Sequence, residues 1–259
     1  MPKTAGYYPI QIPYLLSEPF QQYVDYQEES VASLSEFVIC CWQMIPRTKE
    51  IQPLENIIIA DGCIDLVVAF DQQRIGFSGT RETDFHFPVS STERFMGLRL
   101  KPGAFAQLFQ RSAEQGMDQF LPIERIDSDF DAEEFFKHSF SEAKEYLIAY
   151  CENQLMTRTA DAYTRLFDEL TEQLPASAAE LYDQLGLKER SCQRIFQEKY
   201  ALSPKKGLSI LRFQKGLNDL LQTNEQTTLN YYYDQSHFIQ DFKRNIGITP
   251  RELIQYYRN

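Results

Sequence analysis

The sequence predicts an α+β protein with two domains, a β-rich N-terminal domain and an all-α C-terminal domain. Short β-branched and aromatic runs, separated by turn residues, fill residues 36–125. From residue 131 onward the apolar residues recur at three- and four-residue steps, as they do on one face of a helix. A proline at residue 175 separates an acidic part of the chain from a mildly basic part. We therefore predict domains at residues 1–174 and 175–259.

The β-rich part follows residues 1–35, which are rich in Tyr, Pro and Gln and predict an irregular segment whose aromatics pack onto the next unit. Asp61-Gly62 reads as a tight turn, and Pro102-Gly103 leads into a short helix. Short strands at this close spacing predict a small antiparallel barrel or sandwich. The predicted strands are Glu36–Ile45, Asn56–Ala60, Cys63–Phe70, Arg74–Phe77, Asp84–Val89 and Arg94–Lys101, and the helix is Ala104–Gln110.

Residues 131–174 predict two amphipathic helices, separated by a break near Asn153. Their spacing leaves two alternatives open. The helices cover the open side of the barrel, or they form a dimerisation surface. The apolar positions are Phe135, Phe136, Phe140, Ala143, Tyr146, Leu147 and Tyr150, then Tyr163, Leu166, Phe167, Leu170 and Leu174.

Charge is distributed unevenly along the chain. The net charge is −11, from 26 Lys and Arg against 37 Asp and Glu. Residues 175–259 hold 12 basic and 9 acidic residues, a balance of +3, which leaves 14 against 28 in residues 1–174. A domain with this weak positive excess is expected to bind nucleic acid modestly and with a strong salt dependence.

Helix signals continue through the C-terminal domain. Ala178–Leu185 stops at Gly186, where a helix-turn-helix needs its turn, and Lys188–Tyr200 and Pro204–Leu221 follow. In residues 233–253, Asp234 or Ser236 caps another helix, which Gly247 ends. Phe238 and Phe242 give that helix an apolar back, and its front carries amides and cations. Such a front suits a DNA major groove, although a solvated surface helix has the same pattern.

This last run resembles the C-terminal signature of AraC/XylS-type transcription regulators. The matching residues are Asp234, Ser236, Phe238, Phe242, Lys243, Gly247, Thr249 and Pro250. Residues 185–204 are similar to the first helix-turn-helix unit of the same family, and residues 211–221 to its linker helix. The resemblance implies two helix-turn-helix units whose recognition helices enter successive major-groove segments of double-stranded DNA.

The resemblance also assigns contact residues by matched position. The base-reading candidates are Arg190, Gln193 and Arg194 on the first recognition helix and Gln235, Ser236 and Gln240 on the second. Arg pairs with guanine and Gln with adenine, and each good pair gives about 1–3 kcal/mol of discrimination. The phosphate-contact candidates are Lys243, Arg244 and Arg251, which would set position and carry no sequence information.

Three departures from the family pattern support a second hypothesis. Lys188 stands where a capping Ser is usual, and Cys192 replaces a common core Leu. The segment between Leu221 and Tyr231 is about one helical turn short, and Tyr231 replaces a turn Gly. The alternative to a sequence-specific regulator is therefore an interaction protein of the same ancestry with weakened or lost DNA binding.

Two pieces of the N-terminal domain resemble the sensor-like domain of one branch of these regulators. They are residues 60–67 and 94–105. The resemblance implies effector sensing or homodimerisation, with no substrate, and RNA polymerase as a partner if the protein activates. Asp61, Asp65 and Arg99 are candidate residues of an effector pocket. Their structural alternative is that Asp61 shapes a turn while Asp65 and Arg99 pair with each other or with the backbone.

The remaining chemistry-bearing residues predict no other class of site. We find no Ser/His/Asp order, phosphate loop or metal-ligand spacing, so we expect no catalytic residue, metal or cofactor. The cysteines, Cys40, Cys41, Cys63, Cys151 and Cys192, form no Cys-x-x-Cys pair and are interpreted as reduced, buried residues. With neither a secretory signal nor a membrane-spanning run in the sequence, a cytoplasmic location is expected.

Overall fold

A computed structural model describes residues 6–11, 18–155, 158–223 and 231–258. The chain first forms helix α1, Glu18–Tyr23, and strand β1, Val24–Glu29. The prediction of an irregular segment over residues 1–35 was therefore wrong for this part. Strand β1 pairs with the next strand along its whole length, and this pairing stabilises a sequence that has little apolar alternation of its own.

The strands form two antiparallel sheets. The larger sheet has the order β1-β2-β7-β4-β5-β8, and the smaller one pairs β3 with β6. All six predicted strands are present within a few residues of their predicted bounds, whereas β8 was not predicted. The strands after β1 are β2 Val38–Pro46, β3 Pro53–Ile58, β4 Ile64–Ala69, β5 Arg74–Ser78, β6 Phe85–Ser90, β7 Phe95–Leu100 and β8 Phe120–Pro122.

One face of the large sheet packs against helices that follow it in sequence. These are α2 Ala104–Phe109, α3 Ala132–Phe135 and α4 Phe140–Leu155. Leu66 and Leu98 on the sheet are fully buried in the same core as Phe105, Ala143 and Leu147 on the helices. Helix α4 therefore covers the sheet, as the first of the two alternatives for residues 131–174 requires. Its use in dimerisation stays a prediction.

The C-terminal helices follow α5, Ala162–Glu172. They are α6 Ala178–Leu185, α7 Glu189–Tyr200, α8 Pro204–Thr223, α9 Gln235–Ile246 and α10 Pro250–Arg258. Gly186 adopts a left-handed φ of 63° at the end of α6, which glycine does without steric cost. Asp234 caps α9 by accepting a hydrogen bond from the His237 backbone N–H. The predicted turn and cap are thus confirmed.

The two halves of the chain share an apolar core. The Tyr200 hydroxyl on α7 donates to the Tyr163 carbonyl at 2.7 Å, and its ring lies 5.2 Å from that of Phe167 on α5. The first helix-turn-helix unit therefore packs on residues before Pro175, and the boundary there stays a prediction. The buried members include Ile39, Trp42, Ala60, Leu166, Phe167, Leu181, Phe196, Tyr200, Leu208 and Leu211.

Candidate DNA-binding surface and effector cavity

Helix α7 presents the first set of predicted base-reading residues to solvent. Arg190, Gln193 and Arg194 are exposed, whereas Cys192 and Phe196 on the opposite face are fully buried. The Gln193 amide donates to Glu189 Oε1 at 3.0 Å, one turn earlier on the helix. Lys188 occupies the N-cap without a side-chain cap, as the sequence predicted. The geometry leaves this helix face open to a large ligand.

The far end of α7 contacts the N-terminal half. Gln197 Nε2 donates to Glu114 Oε1 at 3.2 Å, and the Ser112 hydroxyl donates to the Glu198 carbonyl at 3.4 Å. Ser112 caps the 3-10 turn Ala113–Gly116. A carboxylate from the N-terminal half thus lies beside the helix that carries Arg194.

Helix α9 carries the second set of predicted base-reading residues, Gln235, Ser236 and Gln240, all exposed. Phe238 and Phe242 of the same helix are fully buried against Phe213 of α8. The apolar back of this helix is therefore confirmed. The segment between α8 and α9 was predicted to be one turn short, but residues 224–230 lie outside the described residues, and this point stays a prediction.

A buried polar network fixes α9 from behind. The Tyr232 hydroxyl donates to Asp241 Oδ2 at 2.9 Å, and Asn245 Nδ2 donates to the Asp241 carbonyl oxygen at 2.7 Å. Tyr232, Asp241 and Asn245 are each buried, so these bonds are shielded from water. This network orients the helix that presents Gln235, Ser236 and Gln240.

The predicted phosphate contacts surround the same helix. Lys243, Arg244 and Arg251 are exposed, and Arg244 lies 3.8 Å from Asp241 in a weak ion pair. Tyr233, immediately before the Asp234 cap, is 95% exposed and was not among the predicted site residues. Its signal in the sequence is an aromatic run, Tyr231 to Tyr233, directly before a helix cap.

A cavity of about 300 Å³ lies between the two sheets, and all three predicted pocket residues, Asp61, Asp65 and Arg99, line it. Alternate residues of each strand face the cavity, because successive side chains of a strand point to opposite sides. Most of the walls are apolar. The apolar lining includes Trp42, Met44, Ile58, Val67, Phe85, Phe87, Phe95 and Phe120.

The Trp42 indole forms a wall of this cavity and is held in two ways. Its Nε1 donates to Asp65 Oδ2 at 2.9 Å. Its ring lies over Gly97, where a Cβ atom would stand only 2.6 Å from the indole. Glycine at residue 97 therefore allows the indole to approach the backbone of β7 closely.

Arg99 is 5% exposed and is surrounded by three carboxylates. It lies 3.0 Å from Glu28, 3.5 Å from Asp65 and 3.8 Å from Asp61. Burial raises the pKa of Asp65 to about 6, against the lowering effect of Arg99. Asp61 also accepts from the Cys63 backbone N–H at 2.8 Å, which closes the predicted turn. Asp61 therefore shapes the turn and Asp65 pairs with Arg99, and all three residues also line the cavity.

Three buried polar atoms of cavity-lining residues have no hydrogen-bond partner among the described residues. They are Asn56 Oδ1, Arg81 Nε and Arg99 Nε. The Arg81 guanidinium stacks 3.8 Å from the centre of the Phe85 ring and reaches Asp118 at 3.6 Å. Asn56 and Arg81 were missed from the sequence, because no local pattern distinguishes them from solvated polar residues of a strand and a loop.

A short N-terminal segment connects the cavity to α8. Gln11, which lines the cavity, donates to the Ile59 carbonyl and to Asp61 Oδ2, both at 2.6 Å. Next to it, the Ile10 backbone N–H donates to Gln214 Oε1 at 2.8 Å, and Gln214 Nε2 donates to the Ile10 carbonyl at 3.4 Å. Gln214 is buried on α8, so residues 10–11 touch both the cavity wall and the helix that joins the two helix-turn-helix units.

Other kinds of site find little support in the described part of the chain. Its His, Cys, Asp and Glu side chains form no cluster of three that could hold a metal ion. All five cysteines are buried, as expected, and burial raises the pKa of Cys40, Cys41 and Cys151 to about 12. Among the described helices, none combines the length and apolarity needed to cross a membrane.

Two family models match parts of this chain. Residues 181–256 match the family model "Helix-turn-helix domain", and residues 30–122 match "Domain of unknown function (DUF6597)". The crystal structure of an apo ToxT variant from Vibrio cholerae strain SCE256 is 11% identical with a TM-score of 0.39, covering 90% of this chain and 97% of that one. A search of curated proteins gave no match.

The C-terminal part of the chain is thus a helix-turn-helix domain, the class of domain that DNA-binding transcription regulators carry. In front of it, residues 30–122 are similar to the domain of unknown function DUF6597, so the chain combines a DUF6597-like region with a helix-turn-helix domain.

Proposed function

We propose that the protein is a sequence-specific, one-component transcription regulator that inserts α7 and α9 into adjacent major-groove segments. The observation that carries this proposal is that all six predicted base-reading side chains are exposed, on two helices that are held in the core by the buried residues Phe196, Phe238 and Phe242. In this role Arg190, Gln193 and Arg194 read one segment, and Gln235, Ser236 and Gln240 read the other. Lys243, Arg244 and Arg251 hold phosphates.

Residues 1–174 set the activity of residues 175–259 in this proposal. The cavity takes a small-molecule effector, and Asp61, Asp65 and Arg99 form its polar end. Occupation of the cavity is transmitted through Gln11 and Ile10 to Gln214 on α8, since these residues are joined by short hydrogen bonds. The family resemblance adds a homodimer and, for an activator, RNA polymerase as partners. The proposed function includes no enzymatic reaction.

The alternative is an interaction protein that has lost strong DNA binding. The contact between Glu114 and Gln197 favours it, because a carboxylate beside a recognition helix repels phosphate. The weak positive excess in residues 175–259, 12 basic against 9 acidic residues, points the same way.

Selection of genomic DNA fragments with the purified full-length protein distinguishes the two. We expect a recurring motif, whose affinity falls about 5- to 150-fold in Arg194→Ala, the loss of one base-reading pair. Lys243→Ala should weaken binding to all sequences and lower the slope of affinity against salt by about one counterion. Arg125→Ala, an exposed arginine distant in sequence from both recognition helices, is the matched control.

Either of two results would contradict the regulator. One is a motif bound equally well by Arg194→Ala and the control. The other is no enrichment of any fragment, with and without cell extract as a source of effector, which would favour the interaction protein.

A further inference from the structure

The first helix-turn-helix unit is joined to the N-terminal half by polar and apolar contacts of α7. The Tyr200 hydroxyl donates to the Tyr163 carbonyl at 2.7 Å, and the Gln197 amide donates to Glu114 at 3.2 Å. The Tyr200 ring also lies 5.2 Å from that of Phe167. The partners in the N-terminal half, Tyr163, Glu114 and Phe167, are not among the residues that line the cavity.

The second unit has a separate apolar core. Helix α9 packs on α8 there through aromatic rings such as Phe242 and Phe213, which lie 5.3 Å apart. Among the described residues of the N-terminal half, Ile59 is the one buried member of this core, and Ile10 lies half-buried at its edge. The other buried members all lie in residues 213–254, so the Ile59 side chain packs directly on this part of the chain.

Ile59 is also part of the cavity wall, where residues 58–61 line the cavity in succession. Both backbone groups of Ile59 bond the side-chain amide of Gln11. The Ile59 N–H donates to Gln11 Oε1 at 2.9 Å, and the Ile59 carbonyl accepts from Gln11 Nε2 at 2.6 Å. Both backbone groups of Ile10 bond Gln214 on α8 in the same manner. One segment of the wall is thus joined to the second unit and to α8 by an apolar contact and by hydrogen bonds.

Close packing makes this arrangement sensitive to the contents of the cavity. Protein interiors are packed as densely as organic crystals, so they transmit a displacement rather than absorb it. An occupant that presses on residues 58–61 displaces Ile59, and the core beneath α9 must adjust. The hydrogen bonds that hold α7 to Tyr163 and Glu114 resist the same displacement, because those two residues lie outside the cavity wall.

We propose that an occupant of the cavity acts chiefly on the second helix-turn-helix unit, through Ile59, and shifts α9 relative to α7. This rests on the effector cavity and the recognition helices of the proposed regulator, and it adds which of the two helices the effector controls. The first unit then holds DNA whether or not the cavity is filled. Base reading by Gln235, Ser236 and Gln240 depends on the occupant, which stabilises one orientation of α9 over another.

Amide hydrogen exchange of the full-length protein without DNA, followed by mass spectrometry, tests the contact at Ile59. We expect Ile59→Ala to speed exchange in α9 about tenfold or more, because the lost side chain leaves a hole in the second core. Exchange in α7 should stay within about threefold of wild type, since local openings are independent of one another. If Ile59→Ala does not fold, Ile59→Val repeats the test with an expected factor of about three.

Ile75→Ala is the matched control for this variant. It makes the same substitution at a buried isoleucine of β5, in the core between the large sheet and its covering helices. It should not change exchange in α9 and α7 by different factors.

Filling the cavity with a side chain tests the coupling without an identified ligand. Val67 lines the cavity from β4, and its partners across the sheet are Gly76 and Gly97, so a longer side chain there extends into the cavity. We expect Val67→Phe, or Val67→Leu if the larger side chain prevents folding, to change exchange in α9 at least about threefold more than in α7. In the Ile59→Ala background the same filling should change both helices alike, because the transmitting contact is gone.

Exchange that changes equally in α9 and α7, more in α7, or in neither helix would overturn the proposal, whether in Ile59→Ala or in the cavity-filling variant. A filling effect on α9 that persists in the Ile59→Ala background would also overturn it. Since DNA is absent from these experiments, the proposed DNA binding is not tested by them. A negative result here and a negative fragment selection are therefore separate findings.

Discussion

Gln214 offers a direct test of the connection between the cavity and α8. Its side-chain amide bonds both backbone groups of Ile10, at 2.8 Å and 3.4 Å, and it is buried. Gln214→Met keeps the length and much of the volume of the side chain but removes both bonds. The perturbation therefore leaves the Ile10 N–H and carbonyl facing an apolar thioether.

The size of the effect follows from the two distances. The 2.8 Å bond is well formed, whereas the 3.4 Å contact is too long to contribute much. Counting one half-buried donor left unpaired, we expect the free energy of unfolding to fall by about 1–2 kcal/mol. Detachment of the whole segment would cost more, because Tyr7 donates to Asp168 and Gln11 to Asp61, both within 2.7 Å. The loss should therefore stay local to Ile10.

Urea unfolding gives the change in stability, and amide hydrogen exchange gives its location. We expect the Ile10 amide to exchange about tenfold faster or more in Gln214→Met, since each 1.4 kcal/mol corresponds to a factor of ten. Gln222→Met on the same helix is the matched control, because Gln222 is exposed and bonds only Asn218 in the described structure. The control should leave both measurements unchanged.

The reasoning would be refuted by unchanged exchange at Ile10 in a variant that is nonetheless destabilised. That result would mean that Gln214 stabilises α8 alone and that residues 10–11 do not link it to the cavity.

Two further predictions concern buried polar groups. Tyr232→Phe removes the hydroxyl that bonds Asp241 and should lower the free energy of unfolding by about 1–3 kcal/mol, measured in urea; an unchanged value would show that Asp241 finds another donor. Asp65 has a pKa raised from 3.8 to about 6, so the folded protein holds this proton more tightly than the unfolded chain does. Its stabilising contribution is therefore present below about pH 4 and is lost as the pH rises to about 6. The free energy of unfolding of the wild-type protein, compared with that of Asp65→Asn, should fall as the pH rises from about 4 to about 6 and should not change further above pH 6. A difference between the two proteins that does not vary with pH would contradict the raised pKa of Asp65.

The sequence predicted the elements whose signal is local. Strands such as β4 are short apolar, β-branched runs, and this signal is visible in Cys63–Phe70. The caps of α9 and α6 were equally visible, because Asp234 and Gly186 act within one turn. By contrast, β1 is polar and is held by pairing with β2, and β8 has only three residues paired with β5.

The candidate site residues likewise differ in whether a local sequence signal predicts them. Asp61, Asp65 and Arg99 could be chosen because they lie in motifs, but the cavity itself forms only when β3 and β6 close over the large sheet. Asn56 Oδ1 and Arg81 Nε become notable only because they are buried without a hydrogen bond among the described residues, which no sequence pattern encodes. The exposure of Arg190 and Arg194 follows from helical periodicity, whereas the nearby Glu114 comes from a segment distant in sequence.

The core shared across Pro175 has a practical consequence for engineering. A chimera that joins a foreign sensor at residue 175 would replace Tyr163 and Phe167, which Tyr200 of the first helix-turn-helix unit contacts. In the chimera, Phe196 and Tyr200 would lose their apolar partners and become exposed. The fusion should therefore aggregate. A working exchange of sensory specificity would therefore keep α5 through α8 with its own β-sheets and rebuild only the cavity lining.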